Sequence, residues 1–208
     1  MRESLSRAAV VQAARVLLSS EGPGGLSLRR LASRLDVTAA ALYAYVDNKG
    51  DLLQAVLENE FEALTHIFAK HRAGDPITRV CSVCWSYIHH ARGNAKIFRT
   101  MFTAREDGGS SRSTAEAAMV NRLFEATLSP LLDGIEQGLL RNQDPQLAQQ
   151  TLWTTVHGTT AVLLMGAPTH DVTASELCDS VIRTVVRGLC TERGATLLDQ
   201  VQMPALAS

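Results

Sequence analysis

The sequence predicts an all-α protein in which a small N-terminal three-helix domain precedes a larger helical body. Three observations point there. Apolar residues recur at a 3.6-residue period through almost every segment, and no stretch alternates as a strand would. Short runs rich in Gly, Pro, Asn, Asp and Ser separate the periodic segments. Charge is also divided along the chain. Residues 1–50 hold seven Arg/Lys against four Asp/Glu, a net of +3, and the rest holds 13 against 17, a net of −4.

Each element follows from its local sequence. A first helix over about 6–20 places Val10, Ala14, Leu17 and Leu18 on one face, and "EGPGG" stops it. Ser27 caps a second helix whose Leu28, Leu31, Ala32 and Leu35 fall at i, i+3, i+4 and i+7. Asp36 stands where the chain must turn, since Asp tolerates left-handed backbone better than most residues with a side chain. Thr38 caps a third, very short helix through about Ala44, and Asp47 or Asn48 caps a fourth running to about His71. Further helices are expected near 77–92, 95–104, 112–141, 145–166 and 173–192. The intervening breaks are "AGDP", "RGN", "REDGGSSRS", "NQDP" and "GAPTHD", the Gly/Ser-rich one expected to be mobile. The tail from Gly194 is weakly patterned and expected to be loose. The domain reading is 1–48 for the three-helix head, 49–72 for a connecting helix, 73–193 for the body and 194–208 for the tail.

The bulk numbers narrow the class. At 208 residues and 46% hydrophobic content the chain can bury a substantial core, and its net charge of −1 carries no sign of nucleic-acid binding by the molecule as a whole. There is no N-terminal apolar segment and no run long enough to span a membrane, so a cytoplasmic location with reduced thiols is expected. Cys81 and Cys84 form a CxxC without a second pair or an HxxxH, which reads as a buried helix face rather than a metal site. Six histidines lack an HExxH or paired carboxylates, and no nucleophile elbow occurs. No enzyme, metal or cofactor is expected.

Two helices joined by a tight turn, the second short and polar-faced, describe a helix-turn-helix. Leu31, Leu35, Val37 and Leu42 would hold the pair against the first helix. The remaining outward groups suit a phosphate backbone. Ser27 and Thr38 put hydroxyls at helix N-termini, Tyr43 and Tyr45 offer phenolic donors, and Lys49 adds a charge.

The run Val10–Val56 also resembles the DNA-binding domain of TetR-family transcriptional regulators. The marks are Ala14, Gly22, "LSLRRLA", "LxVTxxxLYxYV" and "NKxDLL". Asp36 and Val46 depart from the Gly and Phe usual in the family, and the Val is closer to the tetracycline-repressor-like branch. The resemblance implies phosphate contacts by Ser27, Tyr43, Tyr45 and Lys49, with Arg29 reaching a base edge and Ala39, Ala40 and Ala44 facing the major groove. An alanine-rich reading helix can meet thymine methyls but has no bidentate donors of its own. Arg2 and Arg7 supply either a basic arm or a solvated terminus.

The resemblance further implies that the body is a helical ligand-binding and dimerisation domain. "WTTVHGTTAVLLMG" is similar to a Trp/His-Gly helix of such domains, with Gly158 allowing close helix approach. Trp85, His89, Phe98, Met101, Phe102, Phe124, Trp153, His157 and Met165 are the candidate ligand-binding residues, each also readable as plain core. Stripes of Leu147, Leu152, Val156 and Leu163, and of Leu177, Val181, Val185 and Leu189, would meet their copies in a four-helix homodimer seam, or else face their own chain's core. The expected function is a homodimeric repressor of a palindromic double-stranded operator, released by an unknown small apolar or amphipathic effector that shifts the fourth helix. The alternative is a head whose body docks a protein, and an apolar cavity in the body would discriminate against it.

Overall fold

The computed structural model describes residues 5–103, 114–166 and 171–204; the "REDGGSSRS" loop, Arg2 and His170 lie outside them. The described residues form ten helices: α1 Arg7–Glu21, α2 Leu28–Leu35, α3 Ala39–Leu42, α4 Lys49–Ala69, α5 Pro76–Gly93, α6 Ala95–Thr103, α7 Thr114–Glu136, α8 Pro145–Leu164, α9 Ala174–Leu189 and α10 Glu192–Gln200. Ser6, Ser27, Thr38, Asp144 and Thr173 each accept a backbone N–H at a helix start, so caps set these boundaries as polar residues ahead of apolar runs should. The third helix is shorter than its sequence pattern, because residues 43–45 continue as turn rather than helix.

The described residues fold into two compact units, one lying within 1–62 and 94–119 and the other within 63–93 and 120–208. In the first, Val10, Leu18, Leu31, Leu42, Val46, Leu52 and Ile97 pack into one core between α1, α2, α3, the start of α4 and α6. Asp36 takes the left-handed conformation at φ 55° and ψ 47°, and its N–H closes α2 onto the Ala32 and Ser33 carbonyls. Arg15 on α1 ion-pairs with Glu60 on α4, whose side chain is 2% exposed, and donates to Asn94 Oδ1 at 2.8 Å. Arg7 is not a free arm. It donates to the Tyr45 carbonyl at 2.5 Å and pairs with Asp51 at 3.0 Å.

In the second unit α5 packs on α8 and α9, and α8 packs on α9. The expected loose tail is instead α10. Thr191 caps it, Leu198 is fully buried, and Arg183 holds its C-terminus by donating to the Leu198 and Val201 carbonyls at 2.8 and 2.7 Å. A side chain at Gly194 would lie 2.0 Å from the Leu139 carbonyl, so only glycine permits this docking. The α8 stripe is divided between the two orientations its sequence allows. Leu152 and Val156 are buried inside their own unit, while Leu147 is exposed.

Candidate nucleic-acid interface and internal cavity

The first unit presents its polar groups from the N-termini of α2 and α3, the exposed side of α3 and the start of α4. Ser27 Oγ accepts from Arg30 N and Thr38 Oγ1 from Ala41 N, both at 3.2 Å, which leaves each hydroxyl hydrogen to donate outward. Tyr43 is 59% exposed, whereas Tyr45 is half-buried against the core. Ala40 and Ala44 are exposed, and so is Ala41, which the sequence reading did not single out. Ala39 packs partly into the core, which follows from its position beside Leu42 on the inner side of a four-residue helix.

Arg29 and Arg34 are exposed and make no hydrogen bond or ion pair among the described residues. Arg30, by contrast, is paired with Glu21 at 2.5 Å. Lys49 Nζ donates to the Pro23 carbonyl at 3.0 Å and keeps two further donors. The start of α4 is held by reciprocal bonds. Asn48 Oδ1 accepts from Asp51 N and Asp51 accepts from Asp47 N, each at 3.0 Å. The Arg7 guanidinium, with the Asp47 N–H, holds the Asp51 carboxyl below its usual range. A run of small methyl-bearing residues flanked by helix N-termini, phenols and uncommitted cations can lie against a polyanion at close range.

The second unit contains a cavity of about 60 Å³. Its walls are Phe68 of α4, Val80, Val83, Cys84 and Tyr87 of α5, Leu123, Phe124, Thr127, Pro130 and Leu131 of α7, and Gln149, Leu152, Trp153 and Val156 of α8. The wall residues recur at i, i+3, i+4 and i+7 on both α5 and α8, so each helix turns one stripe to the same space. Pro130 sits inside α7 and has no N–H to offer the preceding turn.

A hydrogen-bonded aromatic cluster closes one side. Tyr87 Oη lies 2.7 Å from His157 Nδ1. The His157 ring stacks on Trp153 at 5.1 Å and 19°, and Phe124 meets Trp153 edge-on at 5.8 Å. Burial pushes the Tyr87 phenol up and the His157 imidazole down, so both are neutral near pH 7.

Of the candidate ligand residues, Phe124 and Trp153 line this cavity, and His157 stands behind Trp153. Trp85 is buried beside a separate recess with His71 and Ser86, His89 is exposed, and Met165 is 76% exposed. Phe98, Met101 and Phe102 sit on α6 in the first unit, where Phe98 and Phe102 pack at 4.9 Å. Sequence reading missed Tyr87, Thr127 and Gln149. The available signal was spacing: Gln149 lies one turn before Trp153, and Tyr87 completes a Val80–Val83–Cys84–Tyr87 stripe.

Comparison with known proteins gives one consistent result. Residues 10–56 match the family described as bacterial regulatory proteins, tetR family, and residues 80–185 match the tetracyclin repressor-like C-terminal domain. The class C tetracycline repressor protein of Escherichia coli is 36% identical over 130 residues, 62% of this chain and 54% of that protein. The chain thus spans about half the length of the curated relatives it matches. Among solved structures, a protein of unknown function from Rhodococcus sp. RHA1 superimposes with TM-score 0.81 at 20% identity, covering 91% of this chain and 98% of that one. The Bacillus subtilis regulator FadR, in complex with stearoyl-CoA, does so with TM-score 0.69 at 18% identity, covering 86% and 97%. The head, the body and the domain order agree, and the chain belongs to the TetR family of bacterial regulatory proteins.

Proposed function

We propose that the protein is a homodimeric transcriptional repressor that binds a palindromic operator and leaves it when a small apolar or amphipathic effector occupies the body's cavity. The observation that carries the DNA-binding part is the exposed Ala40–Ala41–Ala44 side of α3, bordered by the capped N-termini at Ser27 and Thr38 and by the uncommitted Arg29. Ser27, Thr38, Tyr43, Tyr45 and Lys49 position phosphates, Arg29 reads a base edge, and Ala40 and Ala44 permit close approach, with Ala39 supporting them from the inner side of α3. The cavity supports a small molecule over a docked protein as effector. Its response is carried by α4, whose residues belong to both units.

The dimer reading rests on α8 and α9. Gly158, Val162 and Met165 lie at i, i+4 and i+7 on the exposed side of α8, and among the described residues nothing beyond the helix's own backbone lies within 4 Å of where a Gly158 or Gly188 side chain would begin. A glycine in mid-helix costs about 0.5–1 kcal/mol relative to alanine, and close approach by a second copy offsets that cost. Expected of the protein is salt-dependent binding to the DNA upstream of its own gene. Lys49→Met lowers affinity for all sequences and flattens the salt slope by about 1 per lysine. Arg29→Ala relaxes preference at one base pair by about 1–3 kcal/mol. A uniform loss across sequences for Arg29→Ala would remove its base-reading role.

A further inference from the structure

Gln149 is a polar group of the cavity wall whose hydrogen bonding is incomplete. Gln149 is 8% exposed and lines the cavity, and its amide nitrogen donates both to the Phe124 carbonyl and to Thr127 Oγ1. Both amide hydrogens are therefore committed, and Thr127 passes its own hydrogen to the Phe124 carbonyl at 2.9 Å. The carboxamide oxygen makes no hydrogen bond among the described residues. These bonds fix the amide's orientation, so Gln149, which borders both this cavity and an open groove beside Glu125, offers an acceptor and no spare donor. None of the cavity's lining residues is charged.

We infer that the effector is a neutral molecule about one ring in size whose hydroxyl or N–H donates to Gln149 Oε1. This rests on the reading of the cavity as the effector site. Charge is excluded because an ion moved into this wall would lose its hydration without finding a counter-charge. Size follows from the volume. A water needs about 10–15 Å³ on this scale, so about 60 Å³ takes four to six water-sized groups before the walls must move. The donor requirement has a diagnostic sign. In a wholly apolar cavity phenol binds more weakly than toluene, because its hydroxyl is desolvated without return. An acceptor on the wall reverses that order.

The test uses the full-length Trp85→Phe protein, in which Trp153 is the remaining tryptophan and reports on the cavity directly. Its fluorescence is titrated at pH 7 with phenol, toluene and benzoate. Phenol is expected to bind about five- to tenfold more tightly than toluene, and benzoate to leave the signal unchanged where phenol saturates. Gln149→Leu is expected to bring phenol to or below toluene while leaving toluene binding intact. If that variant does not fold, the order of the three compounds on the Gln149 protein still decides. Toluene equal to or tighter than phenol, or benzoate matching phenol, overturns the inference. Val156→Phe, which narrows the cavity, separates this failure from that of the underlying reading. If it abolishes binding of equally bound compounds, the cavity stands as the site and only the effector class falls. If it changes nothing, or if no compound binds at millimolar concentration, both fall.

Discussion

Replacing Arg15 by Met probes how the three-helix head is held together. Arg15 projects from α1, pairs with Glu60 on α4 and donates to Asn94 at the start of α6. Its own side chain is 31% exposed, whereas that of Glu60 is 2% exposed. The substitution therefore removes the guanidinium from a carboxylate that water hardly reaches. Breaking a buried pair by removing one partner typically costs about 3–5 kcal/mol, and the partial exposure of Arg15 argues for the lower end, about 3 kcal/mol. The double substitution Arg15→Met/Glu60→Leu removes the buried carboxylate as well and is expected to recover most of the loss. Urea unfolding followed by circular dichroism gives the stabilities, with operator binding reporting the head separately because two units need not unfold as one transition. A loss below about 1 kcal/mol for the single variant, or a double variant less stable than the single, would refute the reasoning.

Other outcomes follow from the body. His157 titrates below its ordinary value because burial disfavours the imidazolium, so the unfolded chain binds more protons below about pH 6.5 and stability should fall as pH drops through that range. His157→Gln should therefore flatten the acid limb of a melting-temperature profile; an unchanged limb would exclude His157 as its origin. Burial pushes the Cys84 thiol up to about 12 and that of Cys178 to about 11, so neither should react with iodoacetamide in the native protein at pH 8, and both should in urea. Val181→Glu on the half-buried side of α9 should yield helical monomers that no longer bind the operator, and a dimer surviving in sedimentation would place the seam elsewhere.

The helices of the head were legible because each is written locally. Ser27 and Thr38 precede apolar runs at helical spacing, and Asp36 stands where a left-handed residue must end α2. Caps and periodicity act over a few residues, so the chain by itself determined the helix-turn-helix, and with the resemblance the family followed. Orientation between distant segments has no such local signature. Leu152 and Val156 form a stripe as suited to a partner's helix as to the chain's own interior, and only the placement of α5 and α7 around them made a cavity. Gly194 reads as a helix breaker until the Leu139 carbonyl is set against it, where its missing side chain is what lets α10 dock. Tyr87 and His157 are 70 residues apart, and Gln149 and Thr127 are 22 apart. Their hydrogen bonds exist because packing brought the helices together, and a hydrogen bond acts only within about 3 Å. The sequence determined which faces were apolar, and tertiary packing alone decided which of them enclose the cavity.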